Sequence, residues 1–366
     1  MSSVPSTSQI SQPLADRSVR PSPREAGAIS RGASTNLDVL RSIAVLLVLY
    51  DHICRHYYVD RIGGFAAVDL GIFGVLLFFV HTSLVLMYSM QRSGLAGWAL
   101  LKNFHIRRFF RIYPLSVFAV LAAVALHLHA DGRGLSYGMR PGPLELVSNL
   151  FLIQNLTFSS SIIGPLWSLP LEIQMYLLLP FLFLWRKRSF WVLLVLWVAC
   201  GLLGHFPLAV PSLAWFSLLL FIPNFLPGVM AFTLAERRVI PSYLWTPFIV
   251  GLAAAYSLYP SRRFGAELCL LLGIAIPLFQ EIKFRPLKFV SNRIATYSYG
   301  IYLGHSFCIW LALTRLQSWP LFVVMIILVP MALYHGLEKP ALQYGIRLAE
   351  KASRPKLRAV AVAADG

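Results

Sequence analysis

Apolar runs of about 17–25 residues recur along this chain, and each is long enough for a helix to cross the hydrocarbon layer of a bilayer. A backbone inside lipid must satisfy its own hydrogen bonds, which leaves helices and closed barrels as spanning structures. These runs do not alternate apolar and polar residues as barrel strands do. The expected fold is therefore all-α: a polytopic transmembrane helical bundle forming one membrane domain. Composition agrees, because 57% of the 366 residues are hydrophobic and only 13% are charged. A soluble domain of this length carries about twice that charge.

Spans are expected near 39–57, 69–90, 113–130, 166–185, 190–206, 213–234, 242–259, 266–281, 296–313 and 319–338. The segment 144–158 is short and carries Glu145, Asn149, Gln154 and Asn155. If it spanned, Arg186, Lys187 and Arg188 would fall outside, so it is read as interfacial or re-entrant. About ten spans then place both termini in the cytoplasm. Of the 32 Lys and Arg residues, only Arg55, Arg61, Arg133, Arg140, Arg262, Arg263 and Arg315 fall outside, as the positive-inside rule requires. Residues 1–36 are polar, Ser- and Pro-rich and lack an apolar core, which argues against a cleaved signal peptide and for a disordered cytoplasmic tail. Residues 37–342 form the membrane domain, and 343–366 read as a basic cytoplasmic tail.

The net charge of +17 raises nucleic acid as a partner, but the basic residues are spread over loops between spans, so that reading is rejected. Cys54, Cys200, Cys269 and Cys308 are far apart, with no metal-ligand or redox spacing. They read as packing residues.

Ionisable groups inside a bilayer are costly, so each one asks for a reason. Arg41 and His52 are eleven residues apart in the first span, about three helical turns, and so share one helix face. That face offers an anion-binding cation at one end and a base at the other. The alternative is an arginine snorkelling to headgroups and a packed interfacial histidine. Asp51 lies beside His52, but neighbours on a helix diverge by about 100°, so it is a poor candidate to orient that ring. In the loop KNFHIRRFFRIYPL, Arg107, Arg108 and Arg111 include an i,i+3 and an i,i+4 pair, so one helical face can present two or three guanidiniums together. Guanidinium groups suit phosphate, although the same triplet can anchor lipid phosphate. Glu172 sits four residues past Ser168 in an apolar stretch, with Gln174 and Tyr176 nearby. A carboxylate there needs a partner or a proton. His305 falls in the ninth span, Glu338 and Lys339 at the inner edge of the tenth, and His81 in the second, where it reads as a relay or, more simply, a satisfied core histidine.

Five of these segments together resemble the acyltransferase 3 family of membrane O-acyltransferases, over about residues 36–340. They are Leu37-Asp38-x-Leu40-Arg41 with His52; GVLLFFV at 74–80; Arg107-Arg108-x-x-Arg111-Ile112-x-Pro114; Leu166-Trp167-Ser168-Leu169 with Glu172, Tyr176 and Pro180; and Tyr299-Gly300-Ile301-Tyr302 with His305. The chain departs from the family where His81-Thr82-Ser83 replaces a small-residue turn and where Pro170-Leu171 precede Glu172.

The resemblance implies transfer of an acyl group, usually acetyl, from cytoplasmic acyl-coenzyme A to a hydroxyl, mostly of a sugar in lipopolysaccharide, exopolysaccharide or peptidoglycan. On that reading Arg41, Arg107, Arg108 and Arg111 hold the donor and His52 is the general base or acyl acceptor. Glu172 orients or charge-balances the imidazole, and Trp167 and Ser168 shape the pocket. Tyr302 or His305 supplies the oxyanion donor. No permanently bound cofactor and no metal is implied, acetyl-CoA or another acyl-CoA being a co-substrate. The expected partners are membrane lipids, acyl-CoA, a glycan or lipid-linked sugar acceptor and envelope polysaccharide assembly proteins, in a bacterial cytoplasmic membrane. A transporter or flippase for a lipid-linked glycan is the alternative, and a non-catalytic member of a polysaccharide assembly a third.

Overall fold

The computed structural model describes residues 34–131, 134–138, 140–185, 190–203 and 218–353. The tail 1–33, the cluster at 186–188, Arg133 and residues 354–366 lie outside the described residues, as do parts of two expected spans. The described chain is mostly helical, with two small antiparallel hairpins.

Helix α1 (Thr35–His56) begins where the Ser34 hydroxyl accepts from the Leu37 N–H, with Asp38 in its first turn. Both features stabilise a helix start by satisfying free N–H groups and the positive end of the dipole. Asn36 then ties this end down. Its side chain donates to the Gln280 carbonyl at 3.0 Å and accepts from the Ile282 N–H at 3.1 Å. The Trp245 indole donates to the Asn36 carbonyl at 2.8 Å. A short hairpin, β1 (Arg61–Ile62) and β2 (Phe65–Ala66), leads into α2 (Leu70–Ser93). Helices α1 and α2 pack closely because Gly74 has no side chain: a Cβ there would lie 2.5 Å from the Ala44 carbonyl oxygen. Small residues drive helix association in lipid by such close approach.

Helix α3 (Gly97–Ala125) is the largest departure from the sequence reading. The segment KNFHIRRFFRIYPL, expected as a loop, lies inside this 29-residue helix, which runs through Pro114. Charge and proline marked a boundary in sequence, but membrane helices tolerate proline where neighbours compensate, and the carboxylates that offset the arginines come from distant segments. A second hairpin follows, β3 (Leu128–Ala130) with β4 (Leu135–Tyr137). Then comes α4 (Pro143–Phe151), nine residues ending at Leu152 in the left-handed region. At nine residues this helix is by itself too short to cross the hydrocarbon layer.

A 3₁₀ turn at Gly164–Ser168 feeds α5 (Leu169–Leu184). Next are α6 (Phe190–Leu203), α7 (Ile222–Thr233), α8 (Trp245–Leu258), α9 (Arg262–Ala275) and α10 (Arg285–Cys308). Helix α10 starts eleven residues before the expected span at 296. After α10 the chain passes through a wide π turn into α11 (Trp319–Leu333) and through a second into α12 (Lys339–Ser353). The helix therefore continues past residue 342, where the membrane domain was expected to end. Helices α8 and α9, with 14 residues each, are roughly 21 Å long, shorter than the hydrocarbon layer.

Among the described residues, four helices are long and apolar enough to cross a membrane by length and composition: Leu70–Ser93, Gly97–Ala125, Gly164–Leu184 and Trp319–Ser353. Helix α1 packs against α2 and α10, α2 against α7, and α3 against α12. Where α2 meets α7, a Cβ on Gly228 would collide with the Ser83 hydroxyl, which donates to the Phe225 carbonyl at 2.7 Å. Ser83, part of the departure from the family pattern, thus stitches the two helices together. All four cysteines are buried and free.

Candidate active site

The packing of α1, α2, α3, α5 and α10 leaves two polar chambers, with Tyr302 in the wall of both. The smaller, about 80 Å³, is lined by Arg41 (α1), His81 (α2), Arg108 and Arg111 (α3), Glu172 and Tyr176 (α5) and Ser298 (α10). The larger, about 510 Å³, is lined by Asp51, His52 and Arg55 (α1), the Gly164–Pro165 turn, Trp167, Asn224 (α7) and Tyr256 (α8). They are called here the arginine and the histidine chamber.

In the arginine chamber, Arg41 Nε donates to the Ser298 hydroxyl at 2.6 Å, and its guanidinium lies 5.9 Å from the Phe78 ring centre. Arg111 pairs with Glu338, which is 1% exposed, and sits 5.4 Å from the centre of the Tyr299 ring. Glu172 accepts a hydrogen bond from the Tyr176 hydroxyl, within electrostatic range of Arg41, Arg108 and Arg111. Three guanidiniums thus face one lining carboxylate, with Glu338 behind Arg111 as a second, which leaves the cavity a net positive charge. Arg107 does not join them. It points to α12 and lies 3.7 Å from Glu350, because adjacent helical residues diverge by about 100° and the chamber takes the Arg108–Arg111 face. His81 is 4% exposed, lines this chamber, and its Nδ1 has no partner among the described residues. It is not the satisfied core histidine that the sequence suggests.

In the histidine chamber, His52 Nδ1 contacts the Val48 carbonyl at 2.9 Å. A carbonyl oxygen only accepts, so Nδ1 carries the proton and the Nε2 lone pair is free. That nitrogen faces the 3₁₀ turn: a Cβ on Gly164 would lie 3.6 Å from it. Asp51 Oδ2 is 3.4 Å from Nδ1 but bonds Arg55 Nε at 2.9 Å, so Val48 sets the tautomer. The His305 ring packs edge-on against His52, with centroids 4.6 Å apart and planes 75° apart. Its Nδ1 donates to the Ile301 carbonyl at 3.0 Å and its Nε2 is buried without a partner among the described residues.

Between the chambers, the Tyr302 hydroxyl donates to the Pro165 carbonyl at 2.8 Å, and Ser168 Oγ donates to Tyr302 at 2.7 Å. Two expectations are corrected here. Tyr302 spends its only hydrogen on Pro165 and His305 spends its own on Ile301, so neither offers an oxyanion donor in this arrangement. Glu172 does not orient or balance His52. Four residues past Ser168, it has descended about 6 Å along α5 into the arginine chamber, where Tyr176 is its partner. Trp167 lines the histidine chamber and Ser168 the arginine chamber.

Sequence reasoning did not assign site roles to Glu338, Tyr176, Ser298, Asn224 or Asp51. The only local signal for Glu338 and Asn224 is a polar residue interrupting an apolar run.

These features define a helical membrane protein with a cationic pocket and a histidine-containing cavity that share Tyr302 and Val75 in their walls. The chain belongs to the acyltransferase 3 family, described as an acyltransferase domain, which it matches over residues 34–335. It is also similar to the peptidoglycan O-acetyltransferase OatA of Listeria monocytogenes, with 28% identity over 324 residues covering 75% of this chain and 49% of that protein. The chain thus spans about half the length of the curated relative it matches. No solved structure matches it significantly.

Proposed function

We propose that the chain is a membrane O-acyltransferase that moves an acyl group, acetyl by analogy with its relative, from acyl-coenzyme A to a glycan hydroxyl. The observation that carries this reading is the free Nε2 of His52, set one tyrosine away from a cationic pocket. The arginine chamber receives the thioester end of the anionic donor, with Arg41, Arg108 and Arg111 supplying the charge that attracts it. The histidine chamber receives the acceptor.

His52 Nε2 takes the proton of the acceptor hydroxyl as its oxygen attacks the thioester carbonyl carbon. The imidazolium keeps its Nδ1–H on Val48. Collapse of the tetrahedral intermediate expels the coenzyme A thiolate, which takes the proton back from His52, and leaves the ester on the acceptor. The neighbouring guanidiniums stabilise the developing oxyanion electrostatically. The reading keeps about ten crossings, with both termini cytoplasmic in a bacterial inner membrane and the arginine chamber on the coenzyme A side.

The test is transfer of label from radioactive acetyl-coenzyme A to glycan in membranes carrying the intact chain or His52→Ala at equal protein level. The reading expects loss of transfer by about 100-fold or more. Full transfer by His52→Ala removes the base, and no donor turnover by the intact chain removes the acyltransferase reading altogether.

A further inference from the structure

The two chambers differ in charge as well as size. The arginine chamber sets three guanidiniums against Glu172 and the Glu338 that pairs with Arg111, whereas the histidine chamber sets Asp51 and Asp69 against Arg55 and Arg262. A formally neutral cavity gives no general attraction for phosphate or carboxylate. It favours a ligand that is uncharged and hydrogen-bonding.

Its walls are specific about that ligand. Asn224 is 2% exposed, lines the cavity, and its Oδ1 has no partner among the described residues. Exchanging the amide oxygen and nitrogen leaves an unpaired group in either assignment. Asp51 Oδ1, in the same wall, is likewise buried and unpaired. A buried polar atom without a partner costs about 1–3 kcal/mol, so two in one cavity mark places where a ligand supplies donors. Hydroxyls do so.

Aromatic faces complete the cavity. Trp167, Phe221 and Tyr256 line it, and each is braced. Trp167 lies 5.7 Å from Phe221, and Tyr256 stacks on Phe73 at 4.9 Å. Rigid aromatic faces beside a few placed polar groups suit the apolar C–H face and polar edge of a sugar ring. The volume of about 510 Å³ is also in the range of small-molecule sites.

Building on the acceptor role above, we propose that the histidine chamber is a saccharide subsite in which Asn224 and Tyr256 select a neutral pyranose ring and hold its hydroxyl toward His52. Asn224 acts as a specificity residue and not as a catalytic one.

The experiment uses the full chain in detergent micelles and measures binding of methyl β-D-glucoside and N-acetylglucosamine by calorimetry. Glycerol serves as an acyclic polyol control and glucose 6-phosphate as an anionic control. At least one neutral pyranose should bind more tightly than both controls. Asn224→Ala and Tyr256→Leu should each weaken that binding about tenfold. The smaller change Asn224→Ser covers the case in which Asn224→Ala fails to fold, as judged by melting. No selectivity for the neutral rings, or unchanged affinity in folded Asn224 and Tyr256 variants, overturns the subsite. Donor turnover is followed in parallel on the wild-type chain. Ring binding without turnover sinks the acyltransferase reading and leaves the subsite standing, and turnover without ring selectivity does the reverse.

Discussion

Replacing Tyr302 by Phe keeps the ring between the chambers and removes only the hydroxyl. Tyr302 is 6% exposed and Ser168 4%, so water does not substitute for what is lost. Two hydrogen bonds disappear, the donation to Pro165 and the acceptance from Ser168. Each is worth about 1 kcal/mol net, and the Pro165 carbonyl is left without this donor, so the expected loss is about 2–3 kcal/mol. Ser168→Ala removes only one of the two and should cost about 1 kcal/mol. Because both changes delete the same Ser168–Tyr302 bond, the double variant should cost about 1 kcal/mol less than the sum. Unfolding in mixed micelles reads that cycle. A functional readout accompanies it. The Gly164–Ser168 turn that the Tyr302 hydroxyl clamps also faces His52 Nε2. Slackening the clamp by 1.4 kcal/mol or more should lower acyl transfer about tenfold. Strict additivity in the cycle, or wild-type stability and transfer in Tyr302→Phe, would refute the clamp.

Two further outcomes follow from charge. Glu338→Ala leaves Arg111 buried and unpaired and should cost about 3 kcal/mol, the low end for a broken buried pair because the Arg111 side chain is 18% exposed. The double variant Arg111→Met, Glu338→Leu should recover stability in micelle unfolding while still failing in acyl transfer. On the β3–β4 side, burial pushes the Glu145 carboxyl up, but hydrogen bonds from Ser160 and His129 outweigh it and hold the group below its ordinary value. A carboxyl depressed on folding stabilises above its unfolded range and loses that stability as pH falls through its folded value. Melting should therefore drop between about pH 5 and pH 3, and Glu145→Gln should flatten that part of the profile. An identical profile for both chains would discard the contribution.

The helical architecture and several chamber residues, Arg41, His52, Arg108, Arg111 and Glu172 among them, were legible because they rest on local signals: long apolar runs, and charged groups placed where lipid makes them expensive. The pairings were not local. In sequence, the arginines of α3 read as a loop because nothing near them offsets their charge. Their partners arrive from Glu172, Glu338 and Glu350, the second of these 227 residues from Arg111. Glu172 and His52 were joined only through the family resemblance, since nothing in their spacing relates two spans that lie 120 residues apart. Only the descent of α5 past the Ser168–Tyr302 contact shows that they occupy different chambers. His305 was visible as part of a motif, but its edge-on contact with His52 depends on how α1 crosses α10. Asn224 sits in FIPNFLPG, where a single amide between prolines passes for part of an ordinary apolar span.

The division into two chambers bears on how a membrane enzyme of this kind handles a donor and an acceptor of opposite character. Moving a charged group into an apolar interior costs many kcal/mol, whereas an acetyl group carries no charge. On the proposed function, the net positive charge around Arg41, Arg108 and Arg111 favours keeping the phosphates of a coenzyme A donor on that side of Tyr302. On the other side, carboxylates and guanidiniums cancel and give those phosphates no reason to pass. The imidazole on that side keeps its Nδ1–H on Val48 with the Nε2 lone pair free, which on the proposed function is the form that accepts a proton from the acceptor hydroxyl. On the proposed function, then, only the neutral acyl group changes chambers. A variant that places a cation in the histidine chamber, such as Asn224→Lys, would be expected to impair acceptor use while leaving donor binding intact. Equal loss of both would mean that the chambers act as one.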